Sequence, residues 1–419
     1  MESKAHPDPA LPSLAEAGWL RAPATQAVLG CLAAKGFGVR VVGGAVRNSL
    51  LGQPVADIDI ATTAAPEQVI EAAAARGLKT VATGLKHGTA TVIAAGKPFE
   101  VTTLRHDVET DGRHATVAFT DDWAADAARR DLTLNALYCD ADGVIFDPLG
   151  GIGDVLARRV RFIGDPHARI REDYLRILRF FRFTAEYAGG APDAAGLEAA
   201  VAERDGIQRL SAERIRAELL RLLVARRAVP TIEAMAAHGL LTAILPVAPR
   251  AGGLARLAAI ELANTRAPSA ILRLAALAIA VAEDASRLAE HLRLSGSERD
   301  VMSRAGTLPG LDPATDEKAQ RVALYRLGET AFAEGVLLRW AHSGAGVDDP
   351  AWRRLLAFPH RWRPPQLPFS GRDIVARGVP PGPRVGDLLR DFENWWIAND
   401  FPGEGALLLA ELDLLLRPK

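Results

Sequence analysis

Two residue groupings near the start of this 419-residue chain have types and spacing that can do chemistry. The first is Val41-Val42-Gly43-Gly44-Ala45-Val46-Arg47, a glycine pair between an apolar strand and a helix expected over Ala45 to Leu51. Without Cβ atoms the backbone amides can approach a phosphate, and the start of a helix adds positive potential there. Arg47, one turn in, supplies a fork for the same anion. Taken alone, such a pair is more often a plain tight turn. The second grouping is Asp57-Ile58-Asp59-Ile60. On a strand, residues i and i+2 share a face, so both carboxylates point one way while Ile58 and Ile60 enter the core. Like charges that close repel unless a cation sits between them. Two oxygen ligands beside a phosphate loop suit Mg2+, which is commonly held by one or two carboxylates plus substrate phosphates. The arrangement fits two-metal phosphoryl transfer. Glu100, on a later expected strand, is the candidate third acidic ligand.

These groups need a sheet to hold them. Short β-type runs at Val39 to Gly43, Asp57 to Ala61, Thr89 to Ala94, Phe99 to Leu104 and Val144 to Phe146 alternate with helical stretches such as Pro66 to Arg76. From about Asp165 the strands vanish and Ala/Leu/Arg/Glu segments with apolar residues three and four apart take over. An α/β head followed by a long all-α remainder is therefore expected, with breaks at Gly189 to Pro192, Pro309-Gly310 and Pro359 to Pro368. Asp107 to Asp122 is polar with few apolar anchors and reads as a mobile loop, a candidate lid.

Composition narrows the classes. With 49% hydrophobic and 24% charged residues the chain is globular, not collagenous or disordered. A net charge of -1 excludes a global polycation, so any nucleic-acid contact must be local. The longest apolar run, Leu274 to Ala282, is far shorter than the ~20 residues that span a bilayer. No basic-then-apolar leader opens the sequence, and Cys31 and Cys139 cannot build a disulfide framework. No membrane partner and a cytoplasmic location are expected.

Gly43-Gly44-x-Val46-Arg47 followed by Asp57-x-Asp59 resembles the nucleotidyltransferase signature of the polymerase-β superfamily, in the form used by class II CCA-adding enzymes and bacterial poly(A) polymerases. Arg129-Arg130-Asp131-Leu132-Thr133-Leu134-Asn135-Ala136-Leu137 is similar to that family's second motif and Asp147-Pro148-Leu149-Gly150-Gly151 to its third. Glu172-Asp173-x-x-Arg176 is similar to the fourth, and Glu213-Arg214-Ile215 with Glu218-Leu219 to the fifth. One departure is Asn48, where the family usually carries Asp; the amide keeps the hydrogen-bonding shape and loses the charge.

The resemblance implies a nucleotidyltransferase head, a mixed β-sheet with flanking helices, followed by an elongated all-α remainder. The expected divisions are an N-terminal extension over 1–20, the head over 21–160, a base-recognising helical neck over 161–235, a helical body over 236–365 and a tRNA-contacting tail over 366–419. It implies metal ligation by Asp57 and Asp59 and nucleotide contacts from Gly43, Gly44, Arg47, Arg130, Asp131, Asp173, Arg176, Arg179 and Arg182. Asp173 and Arg176, as i,i+3 neighbours, are expected one turn apart on one helix face. An Asp acceptor beside an Arg donor complements cytosine and adenine, each with an exocyclic amine next to a ring-nitrogen acceptor, and mismatches guanine and uracil. A buried polar group left unpaired costs ~1–3 kcal/mol, which is roughly 10–100-fold discrimination. As a bland alternative, such a pair is a surface ion pair worth a few tenths of a kcal/mol.

Residues 161–230 hold 13 Arg against 10 Asp plus Glu, a modest local surplus suited to a phosphate backbone. In the tail, Gly382-Pro383 opens an expected helix, and Trp395-Trp396 reads as packing. The implied activity is template-independent CCA addition to the tRNA 3′ end from CTP and ATP, releasing pyrophosphate. Poly(A) polymerase, or CC-adding or A-adding activity on the same scaffold, is the alternative, and a non-catalytic RNA-binding relative is a third reading.

Overall fold

The computed structural model describes residues 12–82, 84–85, 88–111, 114–307, 311–403 and 405–417. Packing divides the chain into two units, one of residues 1–249 with 291–293, the other of 250–290 with 294–419.

The first unit carries the sheet. Its strands are β1 Val39–Val42, β2 Asp59–Thr62, β3 Lys79–Val81, β4 Thr89–Ala94, β5 Lys97–Thr103, β8 Tyr138–Cys139 and β9 Ile145–Phe146, in the order β3-β4-β5-β2-β1-β8-β9. Only β2 and β5 run parallel; every other pair is antiparallel, so the sheet is mixed. β4 and β5 join through Ala95 and Gly96, both at positive φ (49° and 76°), the two-residue turn whose twist matches paired strands. Val41, Ile60, Val92 and Val101 are buried in the sheet, and Pro23–Ala33 and Pro66–Ala74 form helices with buried apolar faces beside it.

Two sequence expectations change here. The polar stretch after residue 104 is a two-stranded hairpin, β6 Arg105–Asp111 with β7 His114–Phe119. Val108, Thr110, Thr116, Val117 and Phe119 supply β propensity along the two strands. Strand β2 begins at Asp59, so Asp57 precedes it and does not share a strand with Asp59. The reason is the neighbour. β1 pairs Val42 with Asp59 and then ends, because Gly43 turns the chain at φ +70° into the helix Gly44–Leu50, and the pairing of β2 with β5 likewise starts at Asp59.

After the sheet, the helix Gly151–Leu156 opens on a carboxylate cap: Asp147 accepts from the amides of Gly151 (2.8 Å) and Ile152 (2.9 Å). Helices Pro166–Glu172, Leu175–Tyr187, Ala194–Ala202 and Ala212–Val224 follow, with a short 3-10 segment at Arg204–Arg209. The expected break at Gly189 to Pro192 is the loop between two of these helices, whereas Pro309-Gly310 lies outside the described residues.

The second unit is helical. Its longest helix, Glu317–His342, is interrupted at Gly328 (φ +75°), and its end carries Trp340 stacked 6.0 Å from Trp352. The tail has its own core of Ile374, Val379, Leu388, Phe392, Trp396, Leu408 and Leu412. Trp396 is buried and donates to the Pro402 carbonyl at 2.8 Å, a packing role. Among the described residues no helix is long and apolar enough to cross a membrane.

Gly151 joins the third motif to the second by contact alone: a Cβ there would lie 2.5 Å from the Thr133 carbonyl oxygen. Gly151→Ala is expected to lower stability by about 1–3 kcal/mol, the usual cost of overpacking a site with no room. An unchanged thermal midpoint would show that the two segments are not held in contact.

Candidate functional site

One cleft in the first unit, of about 430 Å³, gathers residues from the first, second and fourth motifs. Gly43, Gly44 and Arg47 come from the strand-to-helix turn, Asp59 from the start of β2, and Arg130 and Asp131 from the segment after Trp123–Ala128. Asp173, Arg176, Arg179 and Arg182 come from the Leu175–Tyr187 helix and the residues before it. Arg129, Asn135 and Phe183 also line the cleft and were not singled out as site residues. The lining holds six arginines and three aspartates, an excess of positive charge facing solvent.

The acidic end is built by strand register. Asp59 is opposite Glu100 in the parallel β2–β5 pair, so the two side chains leave the same face of the sheet on adjacent strands. Asp59 opens to solvent, yet protein packed around its carboxyl, then Glu100 and Asp57, push its pKa up against the pull of Arg130. Asp57 is exposed in the loop before β2, and neither Asp57 nor Glu100 lines the cleft itself. Among the described residues no three of His, Cys, Asp and Glu form a ready-made metal cage. Converging carboxylates lacking a full cage suit a hard divalent cation that keeps waters and takes further oxygens from a ligand.

The arginines are placed by buried carboxylates. Asp126, 1% exposed, accepts from Arg129 Nε at 2.9 Å, from Arg130 Nη2 at 3.0 Å and from the Tyr138 hydroxyl at 2.7 Å. Asp131 accepts from Arg179 Nε at 2.6 Å with one oxygen, and from the Leu132 amide (2.9 Å) and Asn135 Nδ2 (3.1 Å) with the other. Glu218, on the Ala212–Val224 helix, pairs with Arg182 and lies 3.8 Å from Arg179. Arg182 stacks over Phe183 at 4.2 Å.

Arg47 is buried and heavily engaged. Its Nε and Nη2 donate to Asn48 Oδ1 (3.1 and 3.0 Å), Nη1 to Asn135 Oδ1 (2.6 Å) and Nη2 to the Tyr187 hydroxyl (2.8 Å), which accounts for four of its five N–H groups. Every one of these acceptors is neutral. Asn48 is thus the amide that orients Arg47, while its own Nδ2 donates to the Pro54 carbonyl at 3.0 Å.

The fourth motif departs from the expected single helix. Pro166–Glu172 ends before Asp173, whose backbone is extended (φ −156°, ψ 108°), and a second helix starts at Leu175. Asp173 therefore sits in a break, where its Oδ1 accepts from the Leu175 amide at 3.1 Å. A carboxylate that caps the next helix competes with continuing the first, which is why the chain breaks here. Arg176 pairs with Glu172 and donates to the Arg169 carbonyl at 2.9 Å. The Asp173 side chain pairs instead with Arg214 Nη2 at 2.6 Å; the Arg176 amide donates to the Asp173 carbonyl at 2.9 Å, and both side chains face the cleft. Arg214 is the partner that sequence reading passed over; its signal was its position in the fifth motif.

Chemically, the cleft offers glycine amides and several arginines for a polyanion, the Asp59 carboxylate with Glu100 on the adjacent strand for a cation at one end, and an acceptor and a donor side by side at the other.

Comparison with known proteins follows the same outline. A family model described as "Poly A polymerase head domain" matches residues 39–161, and one described as "Probable RNA and SrmB- binding site of polymerase A" matches residues 195–250. The chain is 36% identical over 369 residues to the mitochondrial CCA tRNA nucleotidyltransferase 1 of Danio rerio, covering 86% of this chain and 83% of that protein. It is 31% identical over 378 residues to the CCA-adding enzyme of Limosilactobacillus fermentum, covering 87% and 91%. The crystal structure of the Bacillus stearothermophilus CCA-adding enzyme in complex with CTP superposes with a TM-score of 0.71 at 26% identity, covering 93% of this chain and 97% of that one.

Asp126 gives a test of how the arginines are held. Burial alone would raise its pKa, but Arg130, Arg129 and the Tyr138 hydroxyl outweigh it and hold the carboxyl below its ordinary value. Since the folded pKa is depressed below the unfolded value of about 3.9, this stabilisation is whole above that pH and is lost as pH falls toward the folded value. Asp126→Asn is expected to cost about 3–5 kcal/mol at pH 7, as for any buried ion cluster that loses one member. Melting curves should show the gap between variant and wild type closing below about pH 4; a gap independent of pH would contradict this.

Proposed function

We propose, for a chain that belongs to the family of CCA-adding tRNA nucleotidyltransferases, a division of labour in which the head binds the metal and phosphates and the Leu175–Tyr187 helix selects the base. The protein adds CCA to the 3′ end of tRNA from CTP and ATP without a nucleic-acid template. The observation that carries the division is the single cleft in which Gly43-Gly44, Asp59 and Asp173 with Arg176 meet. In each addition the 3′-oxygen of the tRNA forms a bond to the α-phosphorus of the nucleotide, the bond from that phosphorus to the β-phosphate oxygen breaks, and pyrophosphate leaves.

Enzymes of the polymerase-β family generally use a divalent metal, and we assign Mg2+. Asp57 and Asp59 would hold it, with Glu100 as the third carboxylate, and it supplies Lewis-acid activation of the 3′-hydroxyl and charge neutralisation on the phosphates. The glycine amides of residues 43 and 44 receive the triphosphate at the start of the Gly44–Leu50 helix, where the helix dipole favours an anion. Arg47, oriented by neutral acceptors, contributes an uncancelled positive charge to that end. Arg130 with Asp131 offers a donor and an acceptor to the ribose hydroxyl, and Arg179 and Arg182 flank the nucleotide.

Base choice falls to Asp173 and Arg176. A cytosine or adenine edge gives its amine to Asp173 and takes a hydrogen bond from Arg176, whereas guanine or uracil sets a carbonyl against the carboxylate. Glu172 and Arg214 hold the two side chains apart and ready. The surplus of 13 Arg over 10 acidic residues across 161–230 suits the tRNA backbone, and a cytoplasmic location completes the reading.

The test is product length. With tRNA lacking its three terminal nucleotides, CTP, ATP and Mg2+, extension should stop after CCA; a long A ladder would mark a poly(A) polymerase. Asp57→Ala and Asp59→Ala should each slow every addition by about a thousandfold, the several kcal/mol of charge stabilisation tied to the metal, with tRNA affinity retained. Asp173→Ala should relax the preference for CTP over UTP by roughly 10–100-fold. Unchanged preference would refute selection by these side chains.

A further inference from the structure

The helix break that carries Asp173 is seated on a second piece of chain. Tyr174, the next residue, lies against Gly206 of the Arg204–Arg209 segment so closely that a Cβ at Gly206 would fall 1.9–2.4 Å from the Tyr174 ring atoms Cδ1, Cε1 and Cγ. Ring carbons so near Cγ cannot be moved by rotating a side-chain tip; the residue must shift. Gly206 has no positive φ, so its lack of a side chain serves this contact and not a turn. Arg209 adds its guanidinium 5.4 Å from the centre of the same ring.

Glu203, just before this segment, accepts from Arg171 Nη2 at 2.6 Å and lies 3.1 Å from His167 Nδ1, both on the Pro166–Glu172 helix. The segment therefore grips the chain on both sides of the break: the preceding helix through Glu203, and the residue after Asp173 through the Tyr174 ring. Asp173 itself is half-buried, and its carboxylate is held by the Arg214 pair and the Leu175 amide.

We propose that Tyr174, docked in the notch left by Gly206, is the positioning residue that fixes Asp173 for base selection, so that residues 203–209 are part of the specificity apparatus without touching the nucleotide. The inference rests on the reading of Asp173 as the base-selecting carboxylate. The ring acts by shape: its hydroxyl is not needed, and any displacement of the ring is transmitted through one peptide unit to Asp173. A misplacement of about 1 Å is enough to change a selective interaction by one to two orders of magnitude.

The experiment compares kcat/KM for CTP and for UTP on tRNA lacking its three terminal nucleotides, in full-length Tyr174→Ala, Tyr174→Phe, Gly206→Ala and Asp173→Ala. Tyr174→Ala and Gly206→Ala should each lower the CTP:UTP ratio about tenfold, and Tyr174→Phe should keep the wild-type ratio. If Gly206→Ala does not fold, Tyr174→Ala, which introduces no clash, decides alone. Slower but equally selective addition by Tyr174→Ala would overturn the proposal and leave the residue a purely structural one. Relaxed selectivity in Asp173→Ala with unchanged selectivity in Tyr174→Ala would refute this inference alone, whereas unchanged selectivity in Asp173→Ala would refute the reading beneath it.

Discussion

Arg179 gives its Nε to Asp131 at 2.6 Å across 48 positions of sequence, and on this contact the rest of the cleft depends. Asp131 belongs to the segment between the helix Trp123–Ala128 and strand β8, while Arg179 belongs to the helix that follows the break at Asp173. The pair brings the end of the cleft that can hold a cation and phosphates to a fixed distance from the end that can read a base. Burial would raise the Asp131 pKa, but Arg179 beside it holds the carboxyl below the ordinary range, so the ion pair persists at neutral pH. Were it broken, Asp131 would be a lone buried charge, which costs several kcal/mol.

The same device recurs in the first unit. Asp126 holds Arg129 and Arg130, Glu218 holds Arg182, and Asp154 accepts from the Thr133 hydroxyl at 2.8 Å while pairing with Arg161. Buried ion pairs add little net stability compared with well-packed apolar groups. What they supply here is direction. A guanidinium on a long flexible stem is a poor positioning tool until its N–H groups are committed, and Asp126, Asp131 and Glu218 commit some of them on Arg129, Arg130, Arg179 and Arg182, which line the cleft. Arg47 is the exception, since Asn48, Asn135 and Tyr187 orient it without cancelling its charge.

Much of this was legible in the chain. The glycine pair and Asp59 announced themselves by type and spacing, the Arg130-Asp131 dipeptide and the arginines at 176, 179 and 182 through the family resemblance, and the structure gathers them in one cleft. The strand limits were less so: the shared strand of Asp57 and Asp59 failed because β2 starts where its pairing with both β1 and β5 starts, at Asp59, a property of other segments. The helix break at Asp173 was hidden because Glu172 to Leu175 contains no glycine or proline, and the cause is a cap and a ring seated on residues 203–209. Arg214 could not be matched to Asp173 from sequence, since a side-chain pair 41 positions apart leaves no periodic trace. The hairpin of β6 and β7 was lost to composition, because polar strands that pair only with each other look like loop.

The most direct measurement is a double-mutant cycle on Asp131→Asn and Arg179→Gln, read as kcat/KM for the first CMP addition to tRNA. If the two side chains act as one joint between the ends of the cleft, the double variant should lose no more than the worse single variant, a coupling of about 1.5 kcal/mol or more. Losses that simply multiply would mean the residues work independently, and the cleft would then not depend on their contact.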